Sequence, residues 1–308
     1  MRAADSMLVA KATWLATRAA AAVSPRLAGP IAARLWFTPW RVPVGERAAK
    51  RQAEWLRPTE ALSLEVDGKR IAGFAAGKGP TVLLVHGWGE RGASLGAFVR
   101  PLVDAGYRVV GVDLPGHGGS EGGQSDGFQI ASAIAGVAEA LGGVRAVVAH
   151  SMGGTTSLYA ASEGMPVDAL VLIAPSPRLD HALKTFARLL SLSPNAVAGL
   201  KATIERRYGR GVWGTFSGLR VASNVKVPGL IVHDREDPQV ALADAEALHA
   251  AWPGSRLVTT ESLGHGRILR DEKVIEAVTS FLAEVAPARP VPLPRGHDRA
   301  EVRTPARH

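Results

Sequence analysis

Short apolar runs that alternate with helical stretches are the feature of this sequence that most limits its fold. The strand-like runs cover residues 81–85, 108–112, 144–149, 169–174, 229–232 and 256–259, with helical stretches between them. Strands that are apolar on both faces are typical of a parallel sheet covered by helices on both sides. A hairpin that turns at Asp67 and Gly68 adds an antiparallel edge to this sheet. The sequence therefore predicts an α/β fold with a mostly parallel sheet.

Composition excludes several classes of function. The chain has 308 residues, is 46% hydrophobic and has no cysteine, so it has material for a full core but none for disulfides, thiolate metal sites or a cysteine nucleophile. The net charge of +8 lies in the two ends: residues 1–57 carry +7, residues 58–285 carry −2 and residues 286–308 carry +3. A nucleic-acid-binding domain would carry its own basic stripe, so we expect no nucleic-acid partner.

The charge distribution also divides the chain into an N-terminal arm (1–57), a main domain (58–285) and a Pro- and Arg-rich tail (286–308) that we expect to be disordered. The arm holds four of the seven Trp, and its basic residues flank an apolar helix face, whereas Pro25 and Pro30 should break it into short helices. Three interpretations stay open: an arm packed on the domain, a peripheral membrane contact, or a targeting segment. No apolar run of the arm approaches the length of a membrane span. We expect a cytoplasmic protein, with membrane association left open.

Ser151 lies between the strand-like run at 144–149 and the helical stretch at 152–162. The residues two before and two after it, Ala149 and Gly153, are small. A serine in this strand–turn–helix setting is a nucleophile elbow, where the tight turn lifts the hydroxyl above the sheet and tolerates only small neighbours. Ser151 is therefore our candidate nucleophile.

A serine hydroxyl needs a base, and the base needs an acid to orient it. His265 follows the strand-like run at 256–259, between two glycines in a loop that can approach Ser151. Three acids, Asp234, Glu236 and Asp237, follow the run at 229–232. The order Ser, Asp, His along the chain is that of the nucleophile-elbow enzymes. On the residues alone, Asp234 and Asp237 both remain candidates for the acid.

Donors for a developing oxyanion are expected from a glycine-rich loop after another strand. The loop His86-Gly87-Trp88-Gly89 can turn backbone N–H groups toward Ser151, and we choose those of Trp88 and Met152. His86, which precedes the glycines, is expected to support this loop from beneath rather than act as a base.

Taken together and in order, these motifs resemble the α/β-hydrolase superfamily over about residues 60–285. They are His86-Gly87-Trp88-Gly89, Asp113-Leu114-Pro115-Gly116-His117-Gly118, His150-Ser151-Met152-Gly153-Gly154, Asp237 and Gly264-His265. The resemblance implies Ser151 as nucleophile, His265 as base and Asp237 as acid, with oxyanion donors at Trp88 and Met152. In that family the acid commonly follows a strand-end glycine by three residues. Asp234 holds the glycine position here, which favours Asp237.

The expected activity is hydrolysis of a carboxylic ester, with a lipid-like substrate as one option, through an acyl-enzyme on Ser151. A serine at the elbow argues against dehalogenase or epoxide-hydrolase chemistry, which in this superfamily uses Asp. No metal or cofactor is needed. Thioester or amide hydrolysis at the same triad and a non-catalytic binding role remain alternatives.

Substrate choice is expected to depend on a short helical cap at about residues 176–227, with helices at 179–192 and 196–208. Trp88, Trp213 and Phe216 are candidate substrate contacts, although packing of the cap on the domain is the alternative interpretation for Trp213 and Phe216.

Overall fold

The computed structural model describes residues 14–17, 19–20, 24–39 and 44–288. The tail predicted to be disordered lies outside the described residues from Arg289 onward, as do Lys11, Arg18 and Trp40 of the arm. The division of the chain into arm, domain and tail stays a prediction.

One eight-stranded sheet forms the centre of the molecule. Its strands are β1 (Glu60–Val66), β2 (Lys69–Ala76), β3 (Thr81–Val85), β4 (Arg108–Val112), β5 (Ala146–His150), β6 (Ala169–Ile173), β7 (Gly229–Asp234) and β8 (Ser255–Thr260). Their order is β1-β2-β4-β3-β5-β6-β7-β8. The pairs β1–β2 and β2–β4 are antiparallel and all the other pairs are parallel, so the predicted sheet with its antiparallel edge hairpin is confirmed.

The helices, in chain order, are α1 (Pro25–Phe37), α2 (Glu46–Trp55), α3 (Val99–Asp104), α4 (Gly127–Ala140), α5 (Met152–Ser162), α6 (Leu179–Leu189), α7 (Pro194–Tyr208), α8 (Val212–Thr215), α9 (Gly218–Ala222), α10 (Leu242–Ala251), α11 (Gly264–Arg267) and α12 (Glu272–Val285). Two 3₁₀ helices, Gly92–Phe98 and Ile268–Arg270, precede α3 and α12. The helical stretch expected between the strand-like runs at 81–85 and 108–112 is therefore divided into a 3₁₀ segment and α3.

Alternation along the central strands produces two apolar layers. In β3, Leu83 and Val85 face a cluster that includes Leu158 of α5, whereas Val82 and Leu84 face the opposite cluster, which includes Phe281 of α12. All residues of β3, β5, β6 and β7 are buried, which explains why these strands read as unbroken apolar runs. Burial of each large apolar side chain contributes about 1.5–3 kcal/mol to stability.

A separate apolar cluster joins α1 to the segment between β6 and β7. Ala32 and Phe37 of α1 pack with Leu200 and Ile204 of α7. The two helices approach so closely that a Cβ atom on Gly29 would lie 2.4 Å from the carbonyl oxygen of Gly199. We call α1 and α6–α9 together the cover, since they lie over the carboxyl ends of the central strands.

Pro30 does not break the arm, contrary to expectation. It lies inside α1, which runs without interruption from Pro25 to Phe37. The Ser24 side chain caps the helix by accepting a hydrogen bond from the Arg26 N–H. An internal proline costs a helix about 3 kcal/mol. Packing on α7 offsets this cost, because α1 buries Ala28, Ala32 and Leu35.

Candidate active site

The strand order places the site at the centre of the sheet. From β3 the chain moves to β4 on one side and to β5 on the other, and ligands in such sheets bind beyond the carboxyl ends of the strands at this switch point. The loop after β3 and the turn after β5 both lie there.

Ser151 occupies a strained turn between β5 and α5, with φ 53° and ψ −123°. This left-handed backbone is uncommon for a residue with a side chain and is typical of functional positions. The neighbours must be small, because a Cβ atom on Gly153 would lie 2.3 Å from the His86 carbonyl oxygen. One on Gly87 would lie 3.0 Å from the Ser151 Cβ. The tightness of the elbow therefore requires glycine at position 153, one of the two small residues noted in the sequence.

The structure brings Ser151, His265 and Asp237 together. The Ser151 hydroxyl lies 3.0 Å from Nε2 of His265, and Nδ1 of His265 lies 2.6 Å from Oδ2 of Asp237. The Asp237 carboxylate is fully buried, and its other oxygen accepts the N–H groups of Gln239 and Val240. Burial alone would raise the pKa of Asp237, but hydrogen bonds from His265 and the two amides lower it below its ordinary value. Asp237 is thus an ionised partner for the imidazole.

Asp234, the alternative acid, has a different set of partners. Its carboxylate accepts hydrogen bonds from the Thr260 hydroxyl and from the N–H groups of Leu263 and Glu236. These bonds fix the loop that leads to His265 without reaching the imidazole. The geometry therefore favours Asp237, the residue that the resemblance also selects.

The loop after β3 carries Trp88, and the buried side chain of His86 holds it by hydrogen bonds. Nδ1 of His86 donates to the Gly87 carbonyl at 2.7 Å, and Nε2 of His86 accepts the Leu114 N–H at 2.9 Å. Burial lowers the pKa of His86, which suits a neutral ring with one donor and one acceptor. Met152 begins α5, where the free N–H groups of a helix end favour negative charge.

An apolar cavity opens at Ser151 and His265, and both candidate oxyanion residues, Trp88 and Met152, line it. Phe216, expected as a substrate contact, is also part of the wall. Other large side chains that line the cavity are Trp36, Phe37, Phe128, Leu179, Phe186, Leu189, Ile204 and Tyr208.

Trp213 corrects one sequence-based expectation, because it lies outside the cavity lining. Its indole N–H donates to Glu205 at 2.8 Å, and the Lys201 ammonium lies 5.6 Å from its ring centroid. Trp213 therefore packs within the cover, the alternative that the sequence left open for it.

Three important neighbours of the site were missed by sequence reasoning. Trp36 and Phe37 belong to the arm, outside the motifs, and only tertiary packing brings them to the cavity. Glu90 lies three residues after Gly87, and its carboxylate is 3.0 Å from Nδ1 of His150. A signal was available for this pair, since His150 directly precedes Ser151 and Glu90 follows the glycine-rich loop.

The described part of the chain lacks two kinds of feature. Among residues 14–17, 19–20, 24–39 and 44–288, no cluster of three or more His, Asp or Glu could hold a metal ion. Within the same residues, no helix combines the length and the apolarity needed to span a bilayer.

Comparisons with known proteins agree with the fold. A family model described as alpha/beta hydrolase fold matches residues 80–204, and one described as TAP-like protein matches residues 213–290. A pimeloyl-[acyl-carrier protein] methyl ester esterase from Stenotrophomonas maltophilia is 27% identical over 69% of this chain and 96% of its own length. A 2-hydroxy-6-oxo-6-phenylhexa-2,4-dienoate hydrolase from Comamonas testosteroni is 41% identical over 29% of this chain and 33% of its own.

Solved structures show the same fold at low identity. A bacterial membrane phospholipase A aligns with a TM-score of 0.62 at 22% identity, covering 78% of this chain and 91% of that chain. A Pyrococcus furiosus esterase aligns with a TM-score of 0.62 at 20% identity, covering 81% and 98%. The chain belongs to the α/β-hydrolase superfamily. The prediction of an ester-cleaving serine hydrolase is confirmed at this level, since the relatives that match most of the chain are esterases.

Proposed function

We propose that this protein hydrolyses carboxylic esters with an apolar acyl chain, through an acyl-enzyme on Ser151. The observation that carries the proposal is the hydrogen-bonded series Ser151, His265 and Asp237, which opens directly into the apolar cavity. The ester-cleaving activity named for the relatives supports the bond type.

In the proposed first step, His265 removes the Ser151 proton while the oxygen attacks the ester carbonyl carbon. The backbone N–H groups of Trp88 and Met152 stabilise the oxyanion. His265 then protonates the leaving alcohol as the carbon–oxygen bond breaks. In the second step His265 activates a water that hydrolyses the acyl-enzyme, and Asp237 holds the imidazole in the required tautomer throughout.

The cavity wall supports an acyl chain as the bound group. Rings from four different elements surround the space, in particular Trp36 of α1, Phe128 of α4, Phe186 of α6 and Tyr208 of α7. Trp36 and Phe186 meet edge to face, with ring centroids 5.0 Å apart. Such a wall favours aliphatic or aryl groups by apolar contact and has few polar atoms to orient a charged acyl group.

The test is hydrolysis of p-nitrophenyl esters with acyl chains of two to sixteen carbons. We expect turnover with an optimum above four carbons, and covalent labelling of Ser151 by a fluorophosphonate detected on the tryptic peptide. Labelling without turnover of any ester would contradict the ester as substrate and leave a working triad. Neither labelling nor turnover would favour the non-catalytic binding role.

We also propose that the cover, together with residues 14–17, touches an anionic lipid surface. Leu15, Leu27 and Leu189 are the most exposed large apolar side chains described, at 53%, 55% and 67%. The Trp14 indole donates to the Leu190 carbonyl, which brings Leu15 near the end of α6. Exposed basic side chains, Arg26 beside Leu27 and Arg188 beside Leu189, add charge complementarity.

Sedimentation with vesicles tests this contact. We expect binding to vesicles that contain phosphatidylglycerol, weaker binding to pure phosphatidylcholine, and loss of both when Leu15, Leu27 and Leu189 are changed to Ser. Equal partitioning of the variant and the unchanged protein would rule out this surface.

A further inference from the structure

A pair of side chains, His150 and Glu90, lies directly behind the proposed triad. His150 is the last residue of β5, and its side chain is fully buried. Its Nδ1 lies 3.0 Å from Oε2 of Glu90, and its Nε2 lies 2.9 Å from the carbonyl oxygen of His265. The rings of His150 and His265 lie 4.7 Å apart. None of these contacts has a part in the proton transfers described above.

The partners of His150 determine its protonation. A carbonyl oxygen only accepts, so Nε2 of His150 carries a hydrogen. Oε2 of Glu90 accepts the Gly87 N–H at 3.0 Å and faces Nδ1. Because the pKa of Glu90 is held at about 2, this oxygen belongs to a carboxylate and only accepts. Both ring nitrogens therefore donate, and the pair is an imidazolium and a carboxylate. Glu90 keeps 27% of its side chain exposed, so water still solvates this charge.

Charges around the pair agree with this state. Burial would lower the pKa of His150, but the Glu90 carboxylate, the bond to His265 and the more distant Asp237 raise it above its ordinary value. Burial would raise the pKa of Glu90, but the His150 ring and the Gly87 N–H hold it at about 2. His86 itself is buried, which lowers its pKa, so it adds no full positive charge beside His150.

The pair connects three loops that the proposed reaction uses. Glu90 holds the loop after β3 through the Gly87 N–H, His150 is adjacent to Ser151, and Nε2 of His150 holds the main chain at His265. Asp237 fixes the ring of His265, but the backbone of that residue belongs to the short helix α11, whose position the ring contact alone does not determine.

We propose that Glu90 and His150 are positioning residues that hold the main chain of His265 so that its Nε2 stays within reach of Ser151. The proposal rests on the proposed function of the triad. Its distinctive consequence is that a neutral His150, with one N–H only, can donate either to the Glu90 carboxylate or to the His265 carbonyl, but not to both.

The test uses two amides that imitate different halves of the imidazole. In His150→Gln the amide nitrogen can replace Nε2 and donate to the His265 carbonyl. In His150→Asn it can replace Nδ1 and reach Glu90 only. We expect His150→Asn to lower kcat about 10- to 100-fold with KM changed less than threefold, and His150→Gln to recover most of the loss. Glu90→Gln should lower kcat about tenfold, and Glu139→Gln, an exposed control on α4, should not.

The rate of Ser151 labelling by a fluorophosphonate is measured in parallel, because it does not depend on the ester chosen. It should fall in the same order as kcat. Thermal unfolding identifies any variant that fails to fold, and His150→Ala is avoided because it would strand the Glu90 charge. Equal losses in folded His150→Asn and His150→Gln, or losses below twofold in both, would overturn the proposal. Absence of labelling in the unchanged protein would instead overturn the proposed function.

Discussion

The carboxyl edge of the sheet and the cover above it are built on different principles. At the edge, strained backbone and directed hydrogen bonds fix each group, as with the positive φ of Ser151 and the 2.6 Å contact between His265 and Asp237. In the cover, helices from distant parts of the chain meet through apolar contacts, as Phe37 of α1 does with Ile204 of α7. A hydrogen bond is lost when its atoms move by a fraction of an ångström, whereas an apolar contact weakens gradually as its area decreases. The carboxyl edge should therefore determine whether the reaction occurs, and the cover should determine which substrate binds.

The largest effect is expected at the edge. Ser151→Ala should lower kcat by about 10⁴- to 10⁶-fold and abolish fluorophosphonate labelling, because the covalent step is lost. The melting temperature should stay the same or rise, since a strained turn loses only a hydroxyl. The control is Ser157→Ala, which removes a buried hydroxyl from α5, the helix that follows Ser151. Ser157 does not line the cavity, so this variant should keep full activity. Ester turnover that survived Ser151→Ala would place the nucleophile elsewhere.

The second effect separates the two acids. Asp237→Asn should lower kcat about 10³- to 10⁴-fold with little change in stability, because the amide favours the wrong tautomer of His265. Asp234→Asn should instead lower the free energy of unfolding by about 1–3 kcal/mol, since the amide cannot accept all three of the present hydrogen bonds. Kinetics and thermal unfolding of both variants provide the comparison. A larger kinetic loss in Asp234→Asn would reverse the assignment.

The difference between edge and cover also explains what the sequence could predict. Ser151, His265 and the acidic cluster stand at fixed offsets from strands, so local patterns were enough to propose them. Trp36 is 115 positions before Ser151 in the chain and reaches the cavity only because α1 crosses α7 at Gly29. The sequence offers Trp213 as a large ring in the cap, but composition does not reveal which face of a short helix such as α8 points to the cavity. The Glu90–His150 pair required the loop after β3 and the end of β5 to be adjacent, which the strand order provides.

The third prediction tests the cover as the determinant of substrate. Trp36→Ala should raise KM for a ten-carbon acyl ester about tenfold, equivalent to roughly 1.4 kcal/mol of lost apolar contact, and leave the acetyl ester unchanged. The reason is that only a long chain reaches the wall that α1 provides. Trp213→Ala is the matched control, a tryptophan of the same cover outside the lining. The same change in KM for acetyl and decanoyl esters would mean that Trp36 acts on the groups around Ser151 rather than on the acyl chain.

A smaller effect is expected where α1 crosses α7. Gly29→Ala places a Cβ atom 2.4 Å from the Gly199 carbonyl oxygen, so the helices must separate. We expect about 1–3 kcal/mol of lost stability, as in other overpacked contacts, together with a higher KM for long acyl chains. Gly45→Ala is the control, because a Cβ atom there meets nothing within 4 Å. Unchanged long-chain kinetics in a destabilised Gly29→Ala would show that the crossing stabilises the fold without shaping the cavity.

The smallest effect is expected in how the free energy of unfolding falls at acid pH, and it concerns Glu90. The folded protein holds the pKa of Glu90 at about 2, below the ordinary value near 4.3 in an unfolded chain. The ionised carboxylate therefore adds stability that is fully present above about pH 4.3 and is lost as the pH falls toward 2. Glu90→Gln removes this dependence, so the free energy of unfolding should decline less steeply over that window, by less than one bound proton. Chemical unfolding at half-unit intervals from pH 2.5 to 5 measures the slope, with Glu139→Gln as the exposed control. Identical slopes for Glu90→Gln and the unchanged protein would mean that His150 and Gly87 do not stabilise the Glu90 carboxylate. The charged pair of Glu90 and His150 would then not hold the loop after β3.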